Sequence, residues 1–331
     1  MEINITVDMH MPVLKAEACG HFSPLAWRCQ RERKKKEKEM KMLFGMAVVV
    51  AMAALMGVSA GGGEKGFSFK DNFDIMWAED HFKTSPDGQV WYLYLDKQTG
   101  CGFQTRQRYR FGWFSMKLKL VGGDSAGVVT AYYMCSDTGP ERDELDFEFL
   151  GNRTGQPYTI QTNVYKSGVG GREMRHVLWF DPTKDFHTYS ILWNDHQIVF
   201  FVDKVPIRLF KNADKPNNFF PNEKPMYMYS SIWNADDWAT RGGLEKTDWK
   251  NAPFVSSYKD FHADGCQWED PYPACVSTTT ENWWDRYAAW GLSDPQKEDS
   301  DWVGRNLVIY DYCTDTERYP ELPEECSLRG V

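Results

Sequence analysis

The stretch that most constrains this chain is Asp143-Glu144-Leu145-Asp146-Phe147-Glu148-Phe149-Leu150. Acidic and apolar side chains alternate without a break: Glu144, Asp146 and Glu148 on one side, Leu145, Phe147 and Phe149 on the other. A period of two belongs to a strand with one face in a core and one outside it. A helix would scatter the three apolar residues around its axis and leave no apolar stripe.

As a strand, the segment sets three carboxyls in a row on one sheet face. Glu144 and Glu148 then have Cα atoms about 13 Å apart at ~3.3 Å per residue. Side chains that lean together shorten the carboxyl gap to roughly 5 Å. At that spacing one carboxylate can attack a sugar carbon while the other works as acid and base. Asp146 lies between them, able to hydrogen-bond the nucleophile or share its proton. The plain alternative is a solvated acidic face on an edge strand. Three stacked carboxyls with no interleaved Lys or Arg repel one another, and that cost favours a functional role.

The eleven residues Arg142 to Asn152 (RDELDFEFLGN) resemble the active-site signature of the plant xyloglucan endotransglucosylase/hydrolases, members of glycoside hydrolase family 16. The usual signature has His before the Asp and Ile after the first Glu; this chain has Arg142 and Leu145. Leu145 is an apolar exchange on the core side. Arg142 brings a permanent cation two residues from Glu144. The resemblance runs from about Phe69 to the C-terminus.

The N-terminal part differs from the rest. Residues 1–39 end in a charge run, Arg31 to Glu39, and read as a basic extension, disordered or an artefact of gene prediction. Met42 to Ala60 is uncharged and largely apolar, with Lys41 before it and Val58-Ser59-Ala60 at its end. Residues 40–60 therefore read as a signal peptide, the natural start being Met40 or Met42. The alternative is an uncleaved signal anchor. Residues 1–60 carry a net charge of +3, so the remainder carries −12. An acidic chain excludes nucleic acid and anionic membrane as partners and suits a neutral polysaccharide.

Of the eight cysteines, Cys266 and Cys275 are nine apart and Cys313 and Cys326 thirteen apart. In a secreted chain such local pairs read as disulfides, and both match the C-terminal bridges of the family that the signature resembles. Cys101 and Cys135 either pair or stay as buried thiols. No cluster has zinc-ligand spacing, and His187 and His196 read as structural or solvated.

Along the chain the pattern is short β runs. Alternation starts at Gly66-Phe67-Ser68-Phe69; Gln89–Asp96, Gly102–Arg106, Tyr109–Leu120, Gly127–Met134 and Gln161–Tyr165 follow, and Trp179–Thr183 ends a strand in a turn. Phe186–Trp193 and Gln197–Val202 predict a hairpin. The spacing of Trp283, Trp284, Tyr287 and Trp290 predicts a short helix over Thr279–Trp290 with Thr280 as its cap. A second helix is expected over Asp294–Val303 and a strand over Asn306–Tyr312. The fold expected is all-β: an antiparallel sandwich (jelly roll) with a concave cleft over 61–265, and a C-terminal extension containing helix over 266–331.

The resemblance implies which residues touch sugar. Gln161, Thr162 and Asn163 follow the signature strand; Gly171, Arg172 and Glu173 form a further sugar-contacting segment, although the family often has Asn or Asp at position 171. Trp238 offers a flat face for a pyranose, with Asp237 and Gly242 binding hydroxyls and Trp233 either stacking on sugar or buried in the core. Arg318, inside the Cys313–Cys326 loop, matches a contact at the acceptor end. Asn152-Arg153-Thr154 is a sequon at the family's glycan position. The expected activity is retaining cleavage of a β-1,4-glucan backbone, with Glu144 as nucleophile, Glu148 as acid/base and Asp146 assisting. The glycosyl chain then passes to another xyloglucan end, remodelling the cell wall. The rivals are a strict xyloglucan hydrolase and a non-catalytic lectin. No cofactor is implied. The expected partners are xyloglucan polymer and oligosaccharides, met by a monomeric glycoprotein in cell wall and apoplast.

Overall fold

In a computed structural model, residues 68–137, 139–270, 275 and 277–328 are described. The extension expected over 1–39 and the signal peptide expected over 40–60 lie outside the described residues, as do Gly66 and Phe67. The described residues form one compact unit.

Fifteen strands occur among the described residues, in chain order. The first five are β1 (Phe73–Trp77), β2 (Phe82–Thr84), β3 (Trp91–Leu95), β4 (Cys101–Thr105) and β5 (Arg108–Lys119). Next come β6 (Val128–Cys135), β7 (Glu144–Leu150), β8 (Thr159–Tyr165), β9 (Met174–His176) and β10 (His187–Trp193). The last are β11 (Gln197–Val202), β12 (Val205–Lys211), β13 (Tyr227–Asn234), β14 (Phe254–Trp268) and β15 (Val308–Asp311). They build an eight-stranded sheet, β1-β4-β13-β6-β7-β8-β9-β15, and a seven-stranded sheet, β12-β11-β10-β5-β14-β3-β2. Neighbouring strands run antiparallel. The result is the expected antiparallel sandwich of the jelly-roll kind.

The alternation in β7 explains how the sheets meet. Leu145, Phe147 and Phe149 are fully buried. Phe147 packs edge-on against Tyr189 and Phe200 of the second sheet, and Phe149 against Tyr189 with centroids 4.7 Å apart. Each ring lies in a close-packed layer, so truncation of Phe147 to Ala removes about 3–5 kcal/mol of stability. Glu144, Asp146 and Glu148 must then point out of the opposite face.

Three local expectations change, and the alternative left open at Cys101 and Cys135 is decided. Phe69 begins a single helical turn, Phe69–Asn72, that sets its ring against Phe82 and Trp91. Trp179–Thr183 follows β9 as bends and turns without a strand of its own. Thr279–Trp290 is not one helix but two short 3-10 turns, Trp283–Asp285 and Tyr287–Ala289, broken at the extended Arg286. There, Asp285 Oδ2 accepts from the Thr279 amide at 3.0 Å and from Asn282 Nδ2 at 3.3 Å, and Thr280 caps nothing. Finally, Cys101 stands beside Ile232 on β13 and Cys135 beside Tyr227, five residues further back. That offset is about 17 Å along a strand, beyond disulfide reach, and both are buried free thiols.

The C-terminal helix, α1, runs Asp294–Asn306 and begins where the Ser293 amide donates to Gln296 Oε1 at 2.9 Å. Both C-terminal disulfides are present, Cys266–Cys275 and Cys313–Cys326.

Candidate active site

The site grows from β7 outward. In the antiparallel register Glu144 faces Cys135 and Tyr165, Asp146 faces Tyr133 and Asn163, and Glu148 faces Ala131 and Gln161. All these side chains share the outer face of the eight-stranded sheet, because directly opposite residues point the same way.

Glu148 keeps part of its surface open, yet loss of hydration around its carboxyl pushes it up to about 7. Gln161 Nε2 donates to Glu148 Oε2 at 2.5 Å and opposes that rise, while the charges of Glu144 and Glu173 add to it. Arg175, one strand further on, donates from Nε to Gln161 Oε1 at 2.7 Å and favours the ionised form. Arg175 fixes which way the Gln161 amide points, so the nitrogen faces Glu148.

Asp146 is buried, and its carboxyl is held well above the usual range, first by burial and then by the charges of Glu144 and Glu148. Both effects favour its protonated form, and a hydrogen bond with Glu144 favours it further. On the other side, Arg142 Nε donates to Glu144 Oε2 at 2.5 Å. Glu144 thus lies between a proton donor and a fixed cation, and Glu148 lies in a drier setting. Two carboxyls of one strand have been given different chemistry by their neighbours.

Aromatic rings floor the rest of this face. Tyr133 and Tyr229 stack with centroids 5.0 Å apart beside Asp146, and Tyr165 lies under the Arg142 guanidinium. Beyond Glu148, Trp233 and Trp238 pack partly buried against Val129, Leu150, Ala235 and Ala239. Asp237 is exposed in the turn after β13. That turn closes through Gly242 and Gly243, both at positive φ. A Cβ on Gly243 would sit 2.0 Å from the Asp237 carbonyl oxygen, so only glycine fits.

At the other edge, β15 of the C-terminal extension pairs with β9 and widens the sheet. Arg318 clamps Glu173 with both terminal nitrogens, at 2.7 and 3.3 Å. Gly171, at φ 84°, lies against Tyr319 and Arg318; a Cβ there would come within 2.4 Å of the Tyr319 hydroxyl. Arg172 donates to Glu325 Oε1 at 2.9 Å and its guanidinium covers the Phe219 ring, so it ties the Cys313–Cys326 loop to the sheet. Tyr310 contributes its ring under Arg175.

The structure thus brings Glu144, Asp146, Glu148, Gln161, Asn163, Glu173 and, through Glu173, Arg318 to one face. Thr162 is different: it is fully buried on the core side, where its hydroxyl and carbonyl take Arg208 Nη1 at 3.0 and 2.8 Å. Period two puts it opposite to Gln161 and Asn163, so it is a link between sheets and not a sugar contact. Asn163 uses its Oδ1 on the Val164 and Arg172 amides. Asn152 lies in the turn after β7, its Nδ2 donating to the Pro157 carbonyl. Tyr133, Tyr229, Arg175 and Tyr310 had no mark in the local sequence; only strand register reveals them.

Comparison with known proteins fits this arrangement. The profile of "Glycosyl hydrolases family 16" matches residues 69–251, and that of "Xyloglucan endo-transglycosylase (XET) C-terminus" matches residues 278–326. The chain is 74% identical over 286 residues to the probable xyloglucan endotransglucosylase/hydrolase protein 8 of Arabidopsis thaliana, covering 85% of this chain and 94% of that protein. It is 56% identical to a probable xyloglucan endotransglucosylase/hydrolase of Nicotiana tabacum, covering 78% and 88%. Identity to the xyloglucan endotransglucosylase protein 34 of Populus tremula x Populus tremuloides is 55%, covering 78% and 87%. The chain belongs to the xyloglucan endotransglucosylase/hydrolase family, within the glycosyl hydrolases of family 16.

Proposed function

We propose that this enzyme cleaves the β-1,4-glucan backbone of xyloglucan with retention and passes the glycosyl chain to another xyloglucan end. Glu144 attacks the anomeric carbon while Glu148 gives its proton to the departing sugar oxygen. The glycosyl ester on Glu144 and an ionised Glu148 result. Glu148 then removes the proton of an incoming sugar hydroxyl, whose oxygen displaces Glu144 from the anomeric carbon. Asp146, whose protonated form burial favours, hydrogen-bonds Glu144 when that carboxylate is free.

The observation that carries this reading is the unequal setting of two carboxyls on one strand face, one dry and one paired. Gln161, Asn163, Gly171, Glu173, Asp237, Trp238, Gly242 and Arg318 are the proposed sugar contacts. We further propose that the enzyme works outside the cell, in the wall and apoplast, as a monomer with a glycan on Asn152 and no nucleic-acid partner. Two disulfides suit an oxidising compartment. The net charge of −9 suits a neutral polymer.

The test is incubation of the purified chain with xyloglucan and a labelled xyloglucan oligosaccharide. Label should enter the polymer, Glu144→Ala should abolish this, and azide should restore cleavage from the vacated face. Unimpaired transfer by Glu144→Ala would refute the assignment.

A further inference from the structure

The seven-stranded sheet also has an outer face, and aromatic side chains gather there. On β5 the residues alternate: Phe114, Met116 and Leu118 are buried in the core, and Trp113 points out. Asp264 of β14 stands directly beside Trp113 in register. The segment after the second sheet, broken into short 3-10 turns, brings Trp283 over the same spot. Its indole Nε1 donates to Asp264 Oδ2 at 2.7 Å, which fixes the ring. The Trp113 and Trp283 rings have centroids 6.3 Å apart and are tilted by 52°, so they form a corner. Between them, and bounded by His262 and Gln296, is a cavity of 530 Å³. A second cavity of 740 Å³ adjoins it across Ala288, Gly291 and Leu292, with Tyr287 and Trp290 on its wall.

None of these three rings of the C-terminal segment is fully covered: Trp283 is 39% exposed, Trp290 40% and Tyr287 82%. Such a cluster of uncovered aromatics on one short segment marks a binding surface. The chemistry narrows the ligand. Flat indole faces receive the C–H face of a pyranose. Asp264 Oδ1 takes no protein donor among the described residues, so it can accept from a sugar hydroxyl, and the Gln296 amide can donate. The cavity size is that of an ordinary small-ligand site. The chain's negative charge disfavours an anionic ligand.

We infer that this corner is a second polysaccharide site, which holds a stretch of neutral β-glucan chain on the sandwich face opposite to the carboxyl row. The occupant is the polymer on which the enzyme acts, so its identity rests on the proposed function. The site holds the enzyme on its substrate between turnovers. One polymer molecule is long enough to reach both faces at once, whereas one short donor molecule reaches only one of them, so a second site adds nothing to its turnover. Two linked contacts raise the effective affinity for long chains without changing the chemical step.

The test uses the full chain in a catalytically inert Glu144→Gln form, titrated calorimetrically with a short xyloglucan oligosaccharide. Two sites per chain are expected, one of them removed by Trp283→Ala. A single site that survives Trp283→Ala overturns the inference. Kinetics give an independent reading with Glu144 intact. Trp283→Ala should raise KM for long xyloglucan about five- to ten-fold, the order expected for one lost stacking contact. It should leave kcat on a short oligosaccharide donor unchanged. An unchanged KM for long polymer also overturns it. Failure of the proposed function looks different: no turnover on xyloglucan and no site that depends on the carboxyl face. A single site lost on Trp283→Ala would then still support the second site.

Discussion

Arg142 Nε donates to Glu144 Oε2 at 2.5 Å, and the same guanidinium lies over the Tyr165 ring. The cation therefore holds one oxygen of the carboxylate proposed to become a glycosyl ester. An ester carries no charge, so Arg142 favours the free carboxylate over the covalent state. It slows formation of the ester and helps the carboxylate to depart from it. A charge-assisted hydrogen bond contributes about 1.5–3 kcal/mol, and the partly exposed pair belongs at the low end. Arg142→Ala should thus raise the ratio of glycosyl-enzyme to free enzyme on the order of ten-fold. Mass spectrometry of acid-quenched turnover measures that ratio; an unchanged or smaller covalent fraction would show that the pair does not act on the ester.

Glu148 titrates at about 7, and the step it is proposed to catalyse first needs it protonated. kcat/KM should therefore fall as pH rises through about 7. The hydrogen bond from Gln161, oriented by Arg175, favours the ionised form. Its loss raises the Glu148 pKa, so the alkaline limb moves up. Arg175→Met should displace that limb to higher pH by a fraction of a unit. A limb that stays fixed or moves down would sever Arg175 from the acid/base group.

Neither Arg175 nor Tyr133 could be found in the sequence as the carboxyls could. Glu144, Asp146 and Glu148 are neighbours in one strand, and period two alone puts them on a common face. Arg175 reaches Glu148 through β8, and the register of β8 against β9 is a tertiary fact. Thr162 shows the same limit in reverse: its place between Gln161 and Asn163 suggested a shared role, but in a strand adjacent residues face opposite ways. The spacing of Trp283, Trp284, Tyr287 and Trp290 looked helical for a related reason. One ring, Trp284, is buried, while the others stay at the surface, and Asp285 replaces the helical ladder with side-chain bonds. Helical spacing records which residues are apolar, not which of them find a core.

The raised Glu148 pKa has a consequence for stability. An unfolded glutamate titrates near 4.5, the folded one at about 7. Below pH 4.5 both states hold the proton and the difference vanishes. Between about 4.5 and 7 the unfolded chain loses its proton first, so the folded state loses stability as pH rises. The loss is complete above 7 and is on the order of 3–4 kcal/mol, at about 1.4 kcal/mol per unit. Glu148→Gln removes the charge and keeps the shape. Its thermal midpoint should exceed that of the parent chain at pH 8, and the gap should close toward pH 4.5. Equal midpoints at pH 8 would mean that Glu148 is well solvated and its acid role lacks this basis.

Transfer and hydrolysis share the proposed ester on Glu144 and differ in what attacks it. Water is always present in excess, so transfer wins only where bound acceptor positions a hydroxyl better than water is positioned. The edge that could do so is built by the C-terminal extension: β15 widens the sheet, and Arg318 rests on Glu173 with Tyr310 beside it. Arg318→Ala removes a donor at that edge and also uncovers the Glu173 charge, which raises the Glu148 pKa further. Incorporation of labelled oligosaccharide should therefore drop about ten-fold, the order of one lost charge-assisted hydrogen bond. The alkaline limb should move up with it. Reducing-end release without acceptor should change far less at a pH below both limbs. If release falls in step with incorporation, Arg318 serves the cleavage step and not the acceptor. If reducing ends rise equally with and without acceptor in the parent chain, the enzyme is a hydrolase and the edge beyond β9 does not select for sugar over water.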